Sequence, residues 1–238
     1  MARRKLGFWR RFTASLVKPS MLVLTKRTWS GIEHIPEQGG VIIVANHLSH
    51  FDPLTMSHIV YEARRWPSFL AKDSLFKIPV FGRYLHLVGQ IPVSRGTTDA
   101  AKALDAAVAA IERGESLIIY PEGTTTKEPD LWPMRGKTGI ARLWLRTGVP
   151  VIPVVMWGPQ QTFDPRTRKL RLRPRTPVSV TVGPPIDLSK WAGAAPTTAI
   201  LTEITDHIML QIRDILATIR GGSAPPLWTP SAARKEPS

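Results

Sequence analysis

The chain has 238 residues, 43% of them hydrophobic and 21% charged, a composition that suits a globular domain with a sizeable core and excludes an intrinsically disordered chain. Its 32 lysines and arginines outnumber 18 aspartates and glutamates, and the net charge of +14 favours an anionic partner: nucleic acid, a membrane surface or a phosphorylated substrate. The absence of cysteine excludes disulfides, thiolate metal sites and a cysteine nucleophile.

Residues 1–30 are predicted to form basic amphipathic helices that lie in a membrane interface. This segment contains eight lysines and arginines and no acidic residue. Phe8, Phe12 and Leu16 follow the i, i+4 spacing of one helix face, and Pro19 interrupts the pattern, so we expect a hairpin of two short helices. Aromatic rings among acyl chains and cations near anionic head groups stabilise such a segment at a bilayer surface. An ordinary solvated helix packed on the domain is the alternative.

Membrane association is expected to be peripheral or monotopic, on the cytoplasmic face of the cell membrane. No uninterrupted apolar stretch reaches the roughly 18 residues that a spanning helix needs. The basic residues continue through Lys26 and Arg27 without a small-residue cleavage site, so no secretory signal is predicted.

The central part of the chain alternates predicted strands with predicted helices. Apolar runs rich in β-branched residues predict buried strands at 40–45, 116–120, 149–155 and 178–182. Helical patterns cover 99–113, 135–146 and 196–220, the last with isoleucines at core spacing. This order predicts an α/β domain over residues 31–220, with a mostly parallel central sheet flanked by helices, and a flexible tail over 221–238.

Polar residues crowd the end of the first predicted strand. His47 falls in a turn, and Asp52 with Pro53 suits the start of a helix, so a contact between carboxylate and imidazole is expected. Such a contact would fix the ring tautomer and stabilise the imidazolium that forms when the histidine accepts a proton. Neither a cysteine nor a G-x-S-x-G elbow offers a nucleophile, which indicates that the substrate supplies the attacking hydroxyl.

Two other interpretations of this segment stay open on the residues alone. Asp52 can serve only as a helix cap, with His47 a loop residue bonded to the backbone. Alternatively, His47, His50 and Asp52 could bind a metal, although their spacing matches no common zinc signature.

The pattern N-H-x-x-x-x-D over residues 46–52 resembles the first motif of the glycerolipid acyltransferases, the 1-acylglycerol-3-phosphate acyltransferase family. Three further segments are similar to the second, third and fourth motifs, in family order: GQIPVSR at 89–95, YPEGT at 120–124 and VPVIPV at 149–154. Residues 71–82 are similar to the family's linker between the first two motifs. Four ordered motifs are far more specific than H-x-x-x-x-D alone.

The resemblance implies an O-acyltransferase that moves a fatty acyl group from acyl-CoA or acyl carrier protein to the sn-2 hydroxyl of 1-acylglycerol-3-phosphate, giving phosphatidic acid. His47 would act as the general base and Asp52 would orient it. The family's acceptor-binding positions fall on Arg95, Glu122, Gly123 and Thr124. The expected partners are these two substrates and an anionic membrane surface; no metal, redox cofactor or nucleic acid is expected.

One departure from the family concerns the acceptor phosphate. Many members have an arginine directly after the third motif's threonine, where this chain has Thr125. Lys127 is a candidate to replace that arginine, and Lys72 is a further candidate for phosphate contact. Other acceptors stay open, namely glycerol-3-phosphate, monoacylglycerol, another lysophospholipid or a glycolipid, as do a non-enzymatic membrane-binding protein and a lipid hydrolase.

Two other strings need an interpretation. The sequence G-K-T at 136–138 resembles the end of a phosphate-binding loop but lacks its first glycine, so Lys137 is assigned to the start of a helix. The cluster RTRKLRLRPRT at 166–176 holds six cations and is interpreted as a basic edge at the lipid surface or near the phosphates of coenzyme A, with a merely solvated edge equally open.

Overall fold

The computed structural model describes residues 6–93 and 97–229, without the side chains of 97–100. Its strands are β1 Thr25–Ser30, β2 Val41–Ala45, β3 Pro67–Lys72, β4 Ile91–Val93, β5 Ser116–Ile119, β6 Val151–Trp157 and β7 Thr176–Val182. Its α-helices are α1 Phe8–Leu24, α2 Asp52–Glu62, α3 Asp73–Phe76, α4 Phe81–Leu87, α5 Thr97–Glu112, α6 Gly139–Thr147, α7 Pro159–Thr162 and α8 Thr198–Arg220. Short 3₁₀ turns lie at Ile32–His34 and Ser189–Trp191.

The described strands form one central sheet in the order β1-β7-β6-β2-β5-β3-β4. All neighbours pair in parallel except β6 and β7, which are antiparallel. The predicted α/β class with a mostly parallel sheet is therefore confirmed. The short strand β3, which begins with a proline, was not predicted because it carries no long β-branched run.

The strand β2 shows why the sheet is buried on both faces. Ile42 and Val44 point into a core formed with α5, α6 and α8, whereas the alternate residues Val41, Ile43 and Ala45 point into a second core with α2. All five residues of β2 are inaccessible to solvent, which accounts for its continuous apolar sequence. The sheet is therefore covered by helices on both faces. The loops at the ends of its strands remain available for functional residues.

The predicted N-terminal helical segment is present, but as one helix and not as a hairpin: α1 runs unbroken from Phe8 to Leu24 with Pro19 inside it. A proline removes one helical hydrogen bond, the one to the carbonyl four residues earlier. That residue, Ser15, is exposed, so water can satisfy its carbonyl oxygen and the helix can continue. No helix within residues 6–93 and 97–229 is long and apolar enough to cross a bilayer.

Pairing and packing continue past the predicted boundaries of the α/β domain at both ends. Residues 25–30 belong to the sheet, where β1 pairs along its length with β7, because threonine and tryptophan suit a half-buried edge strand. Residues 221–229 are packed instead of forming a flexible tail: Trp228 bridges Met134, and Leu227 packs against the core. Residues 230–238 of the predicted tail lie outside the described residues.

Candidate active site

Those predicted site residues that the structure describes converge where the parallel strands end. Val44 of β2 pairs with Ile119 of β5, so three residues further along the chain His47 comes opposite Glu122. Lys72 is the last residue of β3 at the same edge, where open α/β sheets bind their ligands. Next to β2, the side chain of Asn46 donates to the carbonyl of Met156 and accepts from its amide, both at 2.9 Å. Asn46 thus fixes the end of β2 to β6 and sets where the turn begins.

His47 and Asp52 make the contact that their spacing predicts. Asp52 Oδ2 lies 2.9 Å from His47 Nδ1 and also accepts from the amides of Leu48, at 2.6 Å, and Ser49, at 2.9 Å. The carboxylate therefore accepts hydrogen bonds from the turn that precedes α2, and it makes no capping hydrogen bond to α2 itself. This geometry disfavours the helix-cap interpretation. No group of three or more metal-ligating side chains is found in the described part of the chain.

The surroundings of the pair favour one ring nitrogen for chemistry. Asp52 is inaccessible to solvent, and burial raises the pKa of its carboxyl group while the hydrogen bonds from His47 and the turn amides oppose that shift. The His47 ring stacks on Tyr120 with centroids 4.2 Å apart and is 14% exposed. Burial also raises the pKa of Tyr120 well above its usual value, so its hydroxyl stays neutral. With Nδ1 bound to Asp52, Nε2 is the nitrogen that can accept a substrate proton.

An apolar cavity of about 490 Å³ adjoins the pair, and His47 and Tyr120 contribute to its wall. The rest of the wall comes mainly from α1, α2, α4 and β3, including Val17, Leu54, Leu70, Phe81 and Leu85. Its volume lies in the range of small-molecule sites, which span roughly 300–1,000 Å³. Few polar atoms line it, so the cavity suits a hydrocarbon chain.

Glu122 is directed at the protein backbone. Its Oε1 accepts from the amide of His47 and its Oε2 from the amide of Met134, both at 3.0 Å, and only 3% of the residue is exposed. Two residues past Thr124, the amide of Thr126 donates to the carbonyl of His47 at 2.8 Å. The loop after β5 therefore clamps His47 on both sides, and this geometry favours Glu122 as a positioning residue rather than a contact for the acceptor.

The remaining predicted binding residues lie around this loop. Thr124, Lys72 and Lys127 are exposed, and Arg95 lies outside the described residues. Gly123 has φ +72°, and a Cβ added there would come within 2.9 Å of Lys137 Nζ. Lys137 does not start a helix, because α6 begins at Gly139; its amide donates to Pro121 and its side chain lies over Gly123. In the sequence, the G-K-T segment at 136–138 was the pattern that pointed to Lys137 as a cation beside the site.

Comparison with known proteins decides the family. The family model described as acyltransferase matches residues 26–157, which hold the four motif-like segments. The chain belongs to the acyltransferase family. A 1-acyl-sn-glycerol-3-phosphate acyltransferase of Borreliella burgdorferi is 33% identical over 135 residues, covering 56% of this chain and 52% of that protein. A chloroplastic 1-acyl-sn-glycerol-3-phosphate acyltransferase of Brassica napus is 29% identical over 130 residues, covering 54% of this chain and 36% of that protein.

A solved acyltransferase has the same fold. The crystal structure of the 1-acyl-sn-glycerophosphate (LPA) acyltransferase PlsC from Thermotoga maritima superimposes with a TM-score of 0.64, at 22% identity, covering 91% of this chain and 83% of that one. The chain spans about half, or less, of the length of the two sequence relatives above. Together these matches confirm the family resemblance and the α/β architecture.

The carboxyl group of Glu122 in this acyltransferase should make stability depend on pH. Burial raises the pKa of Glu122 to about 8, although the amides of Met134 and His47 lower it, against 4.5 in the unfolded chain. The folded state therefore keeps a proton that the unfolded state loses, so this contribution is complete below the unfolded pKa and disappears as the pH rises through about 8. Between about pH 5 and pH 8 the wild type should lose about 3 kcal/mol more of its unfolding free energy than Glu122→Gln.

Urea unfolding of both proteins across this pH range tests the prediction. Glutamine has a single acceptor oxygen, so one of the two backbone amides is left unpaired and the variant should also be about 1–3 kcal/mol less stable at low pH. Glu33→Gln, at an exposed position, is the matched control and should keep the wild-type slope. Identical slopes for wild type and Glu122→Gln would contradict a raised pKa.

Proposed function

We propose that this protein transfers a fatty acyl group from acyl-CoA or acyl carrier protein to the sn-2 hydroxyl of 1-acylglycerol-3-phosphate, giving phosphatidic acid. The observation that carries the proposal is that His47, bound through Nδ1 to Asp52, lies in the wall of an apolar cavity of about 490 Å³. A general base beside a hydrocarbon site suits a reaction between a hydroxyl and an acyl thioester. The names of the two sequence relatives support the choice of acceptor.

The proposed reaction needs one base and no covalent enzyme intermediate. Nε2 of His47 takes the proton from the acceptor hydroxyl as its oxygen attacks the thioester carbonyl carbon. The tetrahedral intermediate collapses, the carbon–sulfur bond breaks, and the thiolate leaves and takes the proton back from the imidazolium. Asp52 stabilises that imidazolium through its 2.9 Å contact with Nδ1, and it holds the ring in the required tautomer.

The hydroxyl nearest to the pair along the chain is not arranged as a nucleophile. Ser49 Oγ donates to the carbonyl of Phe163 at 2.7 Å and accepts from the amide of Phe51 at 3.0 Å. Both of its roles are therefore occupied by the backbone. This arrangement favours attack by the substrate's own hydroxyl over a hydrolase mechanism with a serine nucleophile.

Cations around the site edge suit the phosphate of the proposed acceptor. Lys72, Lys127 and Lys137 are exposed there, and none has a carboxylate within 4.0 Å among the described residues. The family resemblance adds Arg95. Lysine and arginine near a negatively charged substrate raise its local concentration and orient it for attack.

The outer surface of α1 suits the lipid character of both substrates. Phe8, Phe12, Leu16 and Val23 are exposed on this helix, and Thr13, Ala14, Val17 and Lys18 of the same helix line the cavity. We propose that α1 lies in the interface of an anionic membrane, on its cytoplasmic face, and brings the cavity to its substrates.

Release of free thiol from acyl-CoA, measured over a panel of acceptors, tests the proposed function. We expect release that depends on 1-acylglycerol-3-phosphate, with phosphatidic acid as the lipid product. Glycerol-3-phosphate, monoacylglycerol and 1-acylglycerophosphocholine are the comparison acceptors, and faster release with any of them would reassign the acceptor. Release of free fatty acid without an acceptor would indicate a hydrolase. If no thiol is released with any acceptor, from acyl-CoA or from acyl carrier protein, the remaining interpretation is a non-enzymatic membrane-binding protein.

A further inference from the structure

A strongly basic loop adjoins the site and has no part in the proposed chemistry. The basic loop, residues 163–175, connects α7 to β7 and carries six cations: Arg166, Arg168, Lys169, Arg171, Arg173 and Arg175. Its acidic residue, Asp164, accepts from the amides of Arg166 and Thr167 inside the loop's own turn. Within the described residues no carboxylate lies within 4.0 Å of the loop's cationic groups. The loop therefore presents charge that the protein itself does not neutralise.

The sheet topology brings the basic loop to the same edge as His47. Because β7 runs antiparallel to β6, it begins at the edge where the parallel strands end. The strand β1 runs parallel to β7, and Thr25 pairs with Thr176, so α1 reaches this edge as well. The amide of Arg175 donates to the carbonyl of Val23 at 3.1 Å, which joins the basic loop directly to the end of α1.

Contacts to the site hold the base of the loop. The carbonyl of Phe163 accepts from Ser49 Oγ at 2.7 Å, and the Phe163 ring lies 5.5 Å from that of His50, centroid to centroid. Arg166 donates to the carbonyls of Glu128 and Pro129, in the segment that follows the clamp on His47. The loop is thus anchored on the His47 side at both Phe163 and Arg166.

Exposed apolar side chains stand among the cations in the second half of the loop, which pairs with Phe163 through Leu170. Leu170 is 56% exposed and Leu172 is 58% exposed, and they alternate with Arg171 and Arg173. Exposed leucines beside exposed arginines match a lipid interface, where the leucines reach the acyl chains and the guanidinium groups meet head-group phosphates. Coenzyme A or an acidic carrier protein would be matched by the cations and would leave the leucines in water. The surface continues through Val23, 62% exposed, onto the apolar face of α1.

We infer that the basic loop is a second docking element for an anionic bilayer, placed beside the C-terminal end of α1. The inference rests on the proposed function in that a lipid substrate is expected on this side of the molecule. Two contacts on the same edge hold the protein in one orientation, with the mouth of the site toward the bilayer. α1 supplies most of the apolar contact, and the basic loop supplies recognition of negative charge.

Vesicle binding by charge-matched variants tests this inference. Arg171→Gln/Arg173→Gln removes two exposed cations from the basic loop, and Lys102→Gln/Arg142→Gln removes two exposed cations from α5 and α6, which cover the sheet face opposite α2. With phosphatidylcholine vesicles containing phosphatidylglycerol, we expect the loop variant to bind about 10- to 30-fold more weakly than wild type. The control should bind like wild type, and the loop variant should show no such deficit with pure phosphatidylcholine vesicles.

A second variant separates lipid from the other anions. Leu170→Ser/Leu172→Ser keeps every cation, so it should weaken binding to the anionic vesicles without raising the KM for acyl-CoA measured with a detergent-dispersed acceptor. Wild-type vesicle binding by both loop variants would overturn the inference, and a raised acyl-CoA KM in the arginine variant would then assign the loop to coenzyme A. Because vesicle binding is measured without turnover, an enzyme inactive on every acceptor would refute the proposed function and leave this result standing.

Discussion

Replacement of His47 by alanine is expected to lower acceptor-dependent thiol release by about 10²–10⁴-fold, the usual contribution of a positioned general base. The variant removes Nε2, which takes the proton of the attacking hydroxyl, and it leaves the backbone of residue 47 held by Glu122 and Thr126. Initial rates with acyl-CoA and 1-acylglycerol-3-phosphate measure the loss. Vesicle binding should change little, because α1 is untouched. Thermal unfolding should show a folded but less stable protein, because the buried carboxylate of Asp52 loses its imidazole partner.

His50 provides the matched control for this loss. Its ring lies 6.4 Å from that of His47, centroid to centroid, and its side chain is exposed, so His50→Ala should turn over close to the wild-type rate. Full activity in His47→Ala would eliminate the base mechanism. Loss of wild-type activity in a chelator, with recovery on added zinc, would instead support the metal interpretation of this segment.

The second large effect is expected for Asp52→Asn. The amides of Leu48 and Ser49 donate to the same oxygen as His47 Nδ1, so the asparagine must keep its own oxygen there and place its NH₂ at the position of Oδ1. The histidine tautomer is then preserved, but the negative charge that stabilises the imidazolium is lost. We expect thiol release to fall about 10²–10³-fold from this change in electrostatics.

Stability measurements show whether the asparagine adopts that orientation. Asp52 Oδ1 is buried and has no hydrogen-bond partner, so an NH₂ group placed there is also unpaired and should cost about 1–3 kcal/mol of unfolding free energy. The double variant His47→Ala/Asp52→Asn should be no slower than His47→Ala alone, because Asp52 acts on the reaction through the ring. A further large fall in the double variant would mean that Asp52 contributes independently of His47.

Local sequence patterns predicted the part of the site that depends on one strand and one turn. The apolar run before Asn46 placed β2, and the spacing of His47 and Asp52 placed a carboxylate beside an imidazole, as the structure shows. Both features depend on residues within one turn of each other. The isoleucine pattern of α8 was equally local, and Ile204, Ile208 and Ile212 are buried as it predicted.

Features that depend on pairing between distant segments could not be predicted from local sequence patterns. Glu122 has a side chain suited to binding a polyol, and only the register of β2 against β5 turns its carboxyl group toward the amide of His47. Lys137 lies over Gly123 because its amide bonds to Pro121, a contact across the loop. The continuation of α1 through Pro19 likewise depends on the exposure of the carbonyl of Ser15, and the spacing of residues in the sequence does not predict that exposure.

The placement of α1 between the cavity and the outer surface has a consequence for kinetics. One side of the helix lines the cavity with Ala14 and Val17, and the other exposes Phe12 and Leu16. In the proposed arrangement a lipid moves from the bilayer into the cavity along one helix and need not dissolve in water. Turnover is then governed by the mole fraction of lipid substrate within the membrane plane. Inert lipid added at constant total substrate slows such an enzyme by surface dilution.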